Sequence, residues 1–478
     1  MNFKRILNVL GRLLQIEALA LAVPLGVALL YQESPFPFLI SILITAAAGT
    51  ALTAIPSQKH FYVRDGFVAV GLIWLVTGLV GALPFWFCGD FGSFVDCFFE
   101  SCSGFTTTGA TILIDIEVLP QGILFWRAFT HWLGGMGVLV LATAILPSMG
   151  IRTHYLTQAE SPGPIFFKLV PKQSQSSKIL YSMYCALTLI QVVCLKLAGM
   201  PWYDSFIHAF STAGTGGFSN MNASAGAYDS LVIDLVLSVF MLLFSINFAV
   251  FFLMLTRKFR EALSSDELRF FLLVVAAATL LISVNIYPQY GDVVQTFRYA
   301  FFHVASIIST TGFCTLDWLN WPQFSQFILI LLMFIGACAG STGGGMKCSR
   351  ILILLRCMRR EVHSIIHPNS VEVVTLDGRV VEEDTVHSAL LFSAAYFLFI
   401  LGAGLIISLD DVSFAVSFSS ALTSLSNVGP GLEAVGPVYN FSILSPLSKV
   451  TMSLTMIIGR LEIFPILVLF SPSTWRKA

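Results

Sequence analysis

Long apolar runs alternate with short polar connections over the whole chain. Runs of roughly 20 residues or more lie near 6–31, 36–55, 66–88, 120–147, 178–199, 228–256, 268–288, 322–355, 386–409 and 443–471. Each is long enough to cross a hydrocarbon core of about 30 Å as a helix, so the pattern predicts ten membrane spans. After spans three, five, seven and nine comes a further apolar stretch of about 15 residues, too short to cross. Non-helical backbone at membrane depth is tolerated only where protein or a water-filled path satisfies it, so these stretches predict re-entrant half-helices followed by loops.

The four short stretches repeat one another. Aligned without gaps on one glycine they read CFFESCSGFTTTGA (97–110), SFIHAFSTAGTGGF (205–218), AFFHVASIISTTGF (300–313) and SFSSALTSLSNVGP (417–430). Eleven positions before Gly109, Gly217, Gly312 and Gly429 stand Phe98, Phe206, Phe301 and Phe418, and six before stand Ser103, Ser211, Ser306 and Thr423. Two before are Thr107, Thr215, Thr310 and Asn427. The unit is helix, half-helix, loop, helix. The predicted fold is an all-α polytopic membrane protein with an N-terminal helix pair (1–57) and four repeats (58–150, 151–262, 263–380, 381–478) around a central pore.

Glycine lets carbonyls turn toward such an axis and lets four strands approach closely. Rings of those carbonyls replace the hydration shell of a monovalent cation. The residues predicted to line this filter are Thr107, Thr108, Gly109, Thr215, Gly216, Gly217, Thr310, Thr311, Gly312, Asn427, Val428 and Gly429. The half-helices end at the loops, with the negative ends of their dipoles toward the ion. Small residues also serve simple close packing in lipid; that explains one copy, and four copies in identical context argue for a pore. Asn427-Val428-Gly429 departs from the Thr-x-Gly style of the other loops, so strict fourfold symmetry is expected to fail there.

Composition agrees. Of 478 residues 56% are hydrophobic and 11% charged, with mean hydropathy +0.83, which excludes a water-solvated globule. The net charge of −1 points to no nucleic acid or acidic substrate. The nine cysteines are scattered through apolar sequence without ligand spacing and predict neither disulfides nor a metal site. The N-terminus has a basic start but no clear cleavage site, so it reads as a retained helix.

The basic residues flank alternate spans: Lys4, Arg5 and Arg12; Lys59 and Arg64; Arg152, Lys168, Lys172 and Lys178; Arg257, Lys258, Arg260 and Arg269; Arg350, Arg356, Arg359 and Arg360; Arg476 and Lys477. The segments between them, 31–36, 110–119, 218–231, 313–321 and 430–442, hold Glu33, Asp115, Glu117, Asp229, Asp317 and Glu433 but no Lys or Arg. The positive-inside rule puts both termini in the cytoplasm. The acidic outer face raises the local cation concentration.

Two further features lie inside spans. Span eight contains Gly336, Gly340, Ser341, Thr342, Gly343, Gly344, Gly345 and Lys347 in the run GACAGSTGGGMK. Each glycine costs about 1 kcal/mol in a helix interior, so the helix is expected to break there unless the glycines serve packing. The run lacks the Gly-Lys-Ser/Thr ending of a phosphate loop. Arg460 lies deep in span ten, where an ionisable residue faces a cavity or a partner, with Glu462 the nearest candidate. His208, His303, Glu100 and Ser420 share one half-helix position and are expected to brace the helices. No Ser/His, paired-Asp or His-Glu-x-x-His pattern suggests an intramembrane enzyme.

On the glycine loops, from residue 66 to the end, the chain resembles the Trk/Ktr/HKT superfamily of potassium transporters, most closely the TrkH-type membrane subunits of bacterial Trk systems. Spans one and two look like that branch's extra helix pair. The resemblance implies that the four glycines sit in a potassium filter. Sodium-favouring plant relatives carry Ser at the first glycine, where this chain has Gly109. It also implies that 336–347 is a flexible gate below the filter and Arg460 a pore-facing barrier charge. Residence in the bacterial inner membrane, a homodimer and a cytosolic Rossmann-type nucleotide-binding (TrkA-like) regulatory subunit follow from the same likeness, the subunit docking on the basic segments 148–178 and 356–386. These segments otherwise follow the topology rule or touch anionic lipid. No cofactor is expected beyond the transported K⁺; sodium and ammonium are the alternative cargoes.

Overall fold

In hydrocarbon every backbone N–H and C=O needs a partner within the protein, and the apolar runs meet this demand as helices. The computed structural model describes residues 2–56, 63–135, 137, 173–370 and 372–475. The N-terminal pair comprises α1 (Phe3–Ala20), continued by α2 (Ala22–Leu30), and α3 (Phe36–Thr53). Their backbones nearly touch: a Cβ on Gly11 would stand 2.7 Å from the Gly49 carbonyl oxygen, and one on Gly49 2.9 Å from that of Gly11. Small residues at such crossings let helices pack closely in lipid. Asn8 Nδ2 donates to Thr53 O at 2.8 Å and ties the same crossing.

The first repeat holds α4 (Val63–Gly81), α5 (Leu83–Cys88), the half-helix α6 (Phe94–Phe105) and α7 (Gln121–Gly135). The second holds α8 (Gln173–Leu197), the half-helix α9 (Trp202–Gly214), α10 (Leu231–Ser245) and α11 (Phe248–Leu255). After the short α12 (Phe259–Leu263), the third holds α13 (Asp266–Tyr290), the half-helix α14 (Val293–Ile308), α15 (Gln323–Ile335) and α16 (Cys348–Ile366). A two-stranded hairpin, β1 (Thr375–Leu376) and β2 (Arg379–Val380), precedes the fourth, with α17 (Glu383–Ile407), the half-helix α18 (Phe414–Ser426), α19 (Pro446–Arg460), α20 (Phe464–Phe470) and α21 (Pro472–Trp475). Side chains of Ser93, Asp292 and Ser413 accept from the first-turn N–H groups of Asp96, Val294 and Val416 and start three of the half-helices.

The repeats close into a ring. Each half-helix packs on the second helix of the preceding repeat: α9 on α7, α14 on α10, α18 on α15, and α6 on α19. The first-repeat span Asp65–Cys88 has 61% of its apolar window buried, against 28–39% for the other five long helices. The N-terminal pair and α20 cover it, since α1 and α20 both pack on α4.

The expectation that only the eighth of ten spans is broken is corrected. Among the described residues six helices are long and apolar enough to cross a membrane, and the α10–α11 pair forms a seventh only with a 94° bend. Among the described residues second helices break midway at 246–247, at 336–347 and at 461–463. Only the glycine-rich break was expected. The bend at Ile246-Asn247 hides in apolar sequence because its freed groups are satisfied by a distant segment: Phe248 N–H donates to Gly340 O at 3.1 Å, and Cys338 N–H donates to Ser245 O at 3.0 Å. In span four the described helix ends at Gly135. The rest of that span, most of the basic segment 148–178, Lys59, Arg476 and Lys477 lie outside the described residues.

The hairpin pairs Thr375 with Val380 and Leu376 with Arg379 across an Asp377-Gly378 turn, both residues at positive φ. It clasps the start of α13: Asp266 N–H donates to Asp377 at 2.6 Å, Asp377 N–H returns to Asp266 at 2.9 Å, and Arg356 pairs with Asp266 at 2.9 Å.

The Gly11–Gly49 crossing makes a prediction. Gly11→Leu is expected to cost about 1–3 kcal/mol by overpacking, read as a lower thermal unfolding midpoint in detergent. Gly26→Leu, at a site where a Cβ meets nothing within 4 Å, is expected to leave the midpoint in place.

Candidate functional site

Each half-helix ends in the same capping bond. The N–H of Thr108, Gly216, Thr311 and Val428 donates back to the carbonyl of Ser103, Ser211, Ser306 and Thr423 at 2.9, 2.8, 2.9 and 3.1 Å. The residue between, Thr107, Thr215, Thr310 or Asn427, is left-handed, with φ of 56°, 59°, 60° and 54°. Left-handed caps ordinarily take Gly or Asn, so three β-branched threonines here hold a strained backbone. Asn427 is the residue that fits best. The fourth loop therefore keeps the left-handed cap, and its departure from symmetry lies at Gly429, with φ of 109° against 78–83° in the others, and in the Asn427 side chain, whose Nδ2 donates to Thr108 Oγ1 at 2.9 Å and Met456 O at 3.0 Å.

The following glycines form a closed cycle. A Cβ on Gly109 would run into Gly216 O, on Gly217 into Thr311 O, on Gly312 into Val428 O, and on Gly429 into Thr108 O at 2.8 Å. Each glycine thus lies against the carbonyl of the next repeat, and the fourth returns to the first. All four have positive φ, between 78° and 109°. The structure brings all twelve expected loop residues into this ring. On the side away from the half-helices it opens into a cavity of about 130 Å³ bordered by the four glycines.

Nine positions before the glycine a side chain holds the loop or its half-helix in the first three repeats, whereas the Ser420 hydroxyl in the fourth makes no hydrogen bond among the described residues and does not brace its helix. Glu100 accepts from Ile112 N–H at 3.1 Å and Thr111 Oγ1 at 2.9 Å. His208 contacts Ser219 Oγ through Nε2 at 3.2 Å and Asp204 O through Nδ1 at 2.9 Å. His303 contacts Tyr299 O at 2.9 Å and meets the Trp321 ring edge-on. In the fourth repeat Ser419, beside Ser420, accepts from Leu432 N–H at 2.9 Å. None of the four side chains reaches into the ring through a bond to its residues.

The segment 336–347, the inner loop, is non-helical and lies against the face of the ring where the half-helices end. Gly344 N–H donates to Thr310 Oγ1 at 2.7 Å, Gly345 N–H to Ser426 O at 2.9 Å, and Thr215 Oγ1 donates to Thr342 O at 3.0 Å. Gly336, Gly340 and Gly345 have positive φ, as does Lys347, whose buried ammonium donates to Gly343 O. Gly336 also has no room for a side chain, since a Cβ there would stand 2.5 Å from Gly344 O. Ser341 Oγ donates to Cys338 O at 2.6 Å and closes the turn.

Arg460 ends α19 beside this segment. Its guanidinium donates to Thr342 O at 2.9 Å, to Gly135 O at 2.8 Å and to Gly134 O. It thereby joins the second helices of the first and fourth repeats to the inner loop. Glu462, the alternative partner, pairs instead with Arg350.

Two residues were not singled out from the sequence. Glu267, in the first turn of α13, accepts from Ala339 N–H at 2.7 Å and Ser349 N–H at 3.0 Å and so clasps both ends of the inner loop. Arg127, inside span four, is 1% exposed and paired to Glu100 at 2.7 Å. The signal for Arg127 was available, since an ionisable residue inside an apolar span marks a partnered site.

A family model described as TrkH, cation transport protein, matches residues 35–477. The chain belongs to the TrkH family. The Trk system potassium uptake protein TrkH of Halomonas elongata is 38% identical over 490 residues, covering all of both chains. The protein of the same name from Escherichia coli K12 is 37% identical over 488 residues, again end to end. The crystal structure titled the potassium transporter TrkH from Vibrio parahaemolyticus superposes with a TM-score of 0.89 at 34% identity, covering the whole of both chains. The TrkH fold therefore includes α1, which the family model does not reach.

For a TrkH-family ring built on backbone contacts, Gly312→Ala places a Cβ against Val428 O and 3.0 Å from Pro430 Cδ. Cation flux is expected to fall at least about tenfold, the equivalent of 1.4 kcal/mol, with an unchanged size-exclusion profile. Gly402→Ala, with open space around it, is expected to conduct as the parent does.

Proposed function

We propose that the chain carries potassium into the cell across the bacterial inner membrane, with both termini cytoplasmic. Thr107–Gly109, Thr215–Gly217, Thr310–Gly312 and Asn427–Gly429 form the filter, one loop from each of the four repeat units. The observation that carries this reading is the closed cycle in which each filter glycine lies against the carbonyl preceding the next repeat's glycine. Rings of carbonyls at membrane depth substitute for ion hydration. The printed names of the relatives support potassium as the cargo.

In this reading 336–347 is the gate, drawn in its closed position. Hydrogen bonds from Gly344 and Gly345, and from Thr215, hold it against the filter. Arg460 has two roles: it pins the gate through Thr342 O, and it places a positive charge on the inner side of the filter, where it opposes cation passage. The chain works as a homodimer with a cytosolic Rossmann-type nucleotide-binding subunit, which docks on 148–178 and 356–386 and releases the gate. The chain itself uses no cofactor.

Ion flux into liposomes holding only the purified protein tests both parts. Potassium and rubidium are expected to pass well ahead of sodium and ammonium, and Gly109→Ser to erode that order. Equal passage of sodium, or a Gly109→Ser variant with the parent's order, would sink the filter assignment. Arg460→Gln removes the bonds to Thr342, Gly134 and Gly135, and basal potassium flux is expected to rise about tenfold, the equivalent of 1.4 kcal/mol of lost closure. Glu267→Gln weakens the clasp on Ala339 and Ser349 and is expected to raise basal flux in the same direction by a smaller factor. Unchanged or lower flux in both folded variants removes the gate assignment.

A further inference from the structure

We propose that the buried Glu100–Arg127 ion pair is a selectivity-determining brace that holds the filter loops of the first and second repeats at a fixed spacing. The proposal rests on reading the four glycine loops as the filter. Both side chains are almost fully buried, at 0% and 1% exposure, and two guanidinium nitrogens converge on Glu100 Oε1 at 2.8 and 2.7 Å. A charge-assisted contact of this length is among the strongest polar restraints available to a side chain.

The pair reaches two loops at once. On the first-repeat side Glu100 takes hydrogen bonds from Thr111 Oγ1 and Ile112 N–H, two and three residues beyond Gly109. On the second-repeat side Arg127 Nη1 donates to Ser219 O at 3.2 Å, two residues beyond Gly217, and its guanidinium lies 4.1 Å from the centroid of the Phe218 ring. His131, one turn further along α7, stacks on the same ring at 4.2 Å. Phe218 directly follows Gly217, so its position sets where the second glycine lies against the first. The positions corresponding to Glu100 in the other repeats are His208, His303 and Ser420, so among the described residues Glu100 is the one side chain at this position that forms an ion pair; Arg298–Asp234 and Lys449–Asp96 join other repeats nearer the starts of their half-helices.

Arg127 also borders the cavity at the ring together with the four glycines. A guanidinium beside a cation path repels the cargo unless it is neutralised, and Glu100 supplies that neutralisation. The brace therefore has two separable consequences: geometry governs the preference for potassium over sodium, and charge balance governs capture from dilute potassium.

Liposome flux with Glu100→Gln, Arg127→Gln, the double variant and Thr111→Val separates them, with the parent and Gly109→Ser alongside. The potassium-to-sodium flux ratio is expected to fall at least fivefold in both single variants and in the double variant, and at least twofold in Thr111→Val. The potassium concentration for half-maximal flux is expected to rise in Glu100→Gln, to fall in Arg127→Gln, and to return near the parent value in the double variant. A residue needed only for folding lowers the amount of active protein and leaves both quantities where they were. A ratio equal to the parent's in the folded single or double variants overturns the proposal. Should those variants fail to fold, Thr111→Val, which changes no charge, decides alone: an unchanged ratio overturns the brace. If the parent itself shows no potassium preference, or Gly109→Ser leaves it intact, the filter reading has failed. A selective parent eroded by Gly109→Ser but indifferent to the brace variants rejects the brace only.

Discussion

Backbone that leaves a helix inside hydrocarbon finds no water, so each freed N–H and C=O must be met by another part of the protein. Around the centre of this molecule the partners of each interruption are other interruptions. The half-helices of four repeats end in reversed caps whose left-handed residues sit in the same backbone state, and their glycines lean on one another's carbonyls in a cycle. The bend in the second repeat is completed by the third repeat's inner loop, through Phe248 to Gly340 and Cys338 to Ser245. Arg460 meets carbonyls from the first repeat and from that same loop. No repeat can form its non-helical part alone, and the assembly of four is what makes any of them tolerable.

The architecture was largely legible in the chain because membrane length and a gapless repeat are strong signals. The half-helices, their order and the four glycines could be read from spacing, and the helix break at 336–347 from its glycines. What could not be read has a physical cause in each case. The bend at Ile246-Asn247 carries no glycine or proline, since its cost is removed by bonds from residues some 90 positions away in the chain. The break at 461–463 places Glu462 and Ile463 at positive φ, a conformation their side chains do not announce. Asn427 looked like a flaw in the fourth loop, yet it is the side chain best suited to the left-handed cap that three threonines adopt under strain. The partnership of Glu462 with Arg350, 112 positions away in the chain, was out of reach of any local reading.

The four loops are alike in backbone and unlike in what holds them. One rests on a carboxylate and a guanidinium, one on a histidine and a serine, one on a histidine against a tryptophan edge, and one on serine hydroxyls. Similar geometry from unequal supports means that the ring is fourfold only in its left-handed caps and its cycle of glycines against carbonyls. Substitutions at corresponding positions therefore have no reason to produce corresponding effects.

The reciprocal bonds between the second repeat's bend and the inner loop have a consequence for how that loop can move. Shifting it away uncovers the N–H of Phe248 and the carbonyls of Phe244 and Ser245, which Gly340, Thr342 and Cys338 now satisfy. Each such group left bare in an apolar interior costs on the order of 1–3 kcal/mol. Water entering behind the loop is what can take the place of those bonds. Any displacement of the loop would therefore have to bring hydration with it.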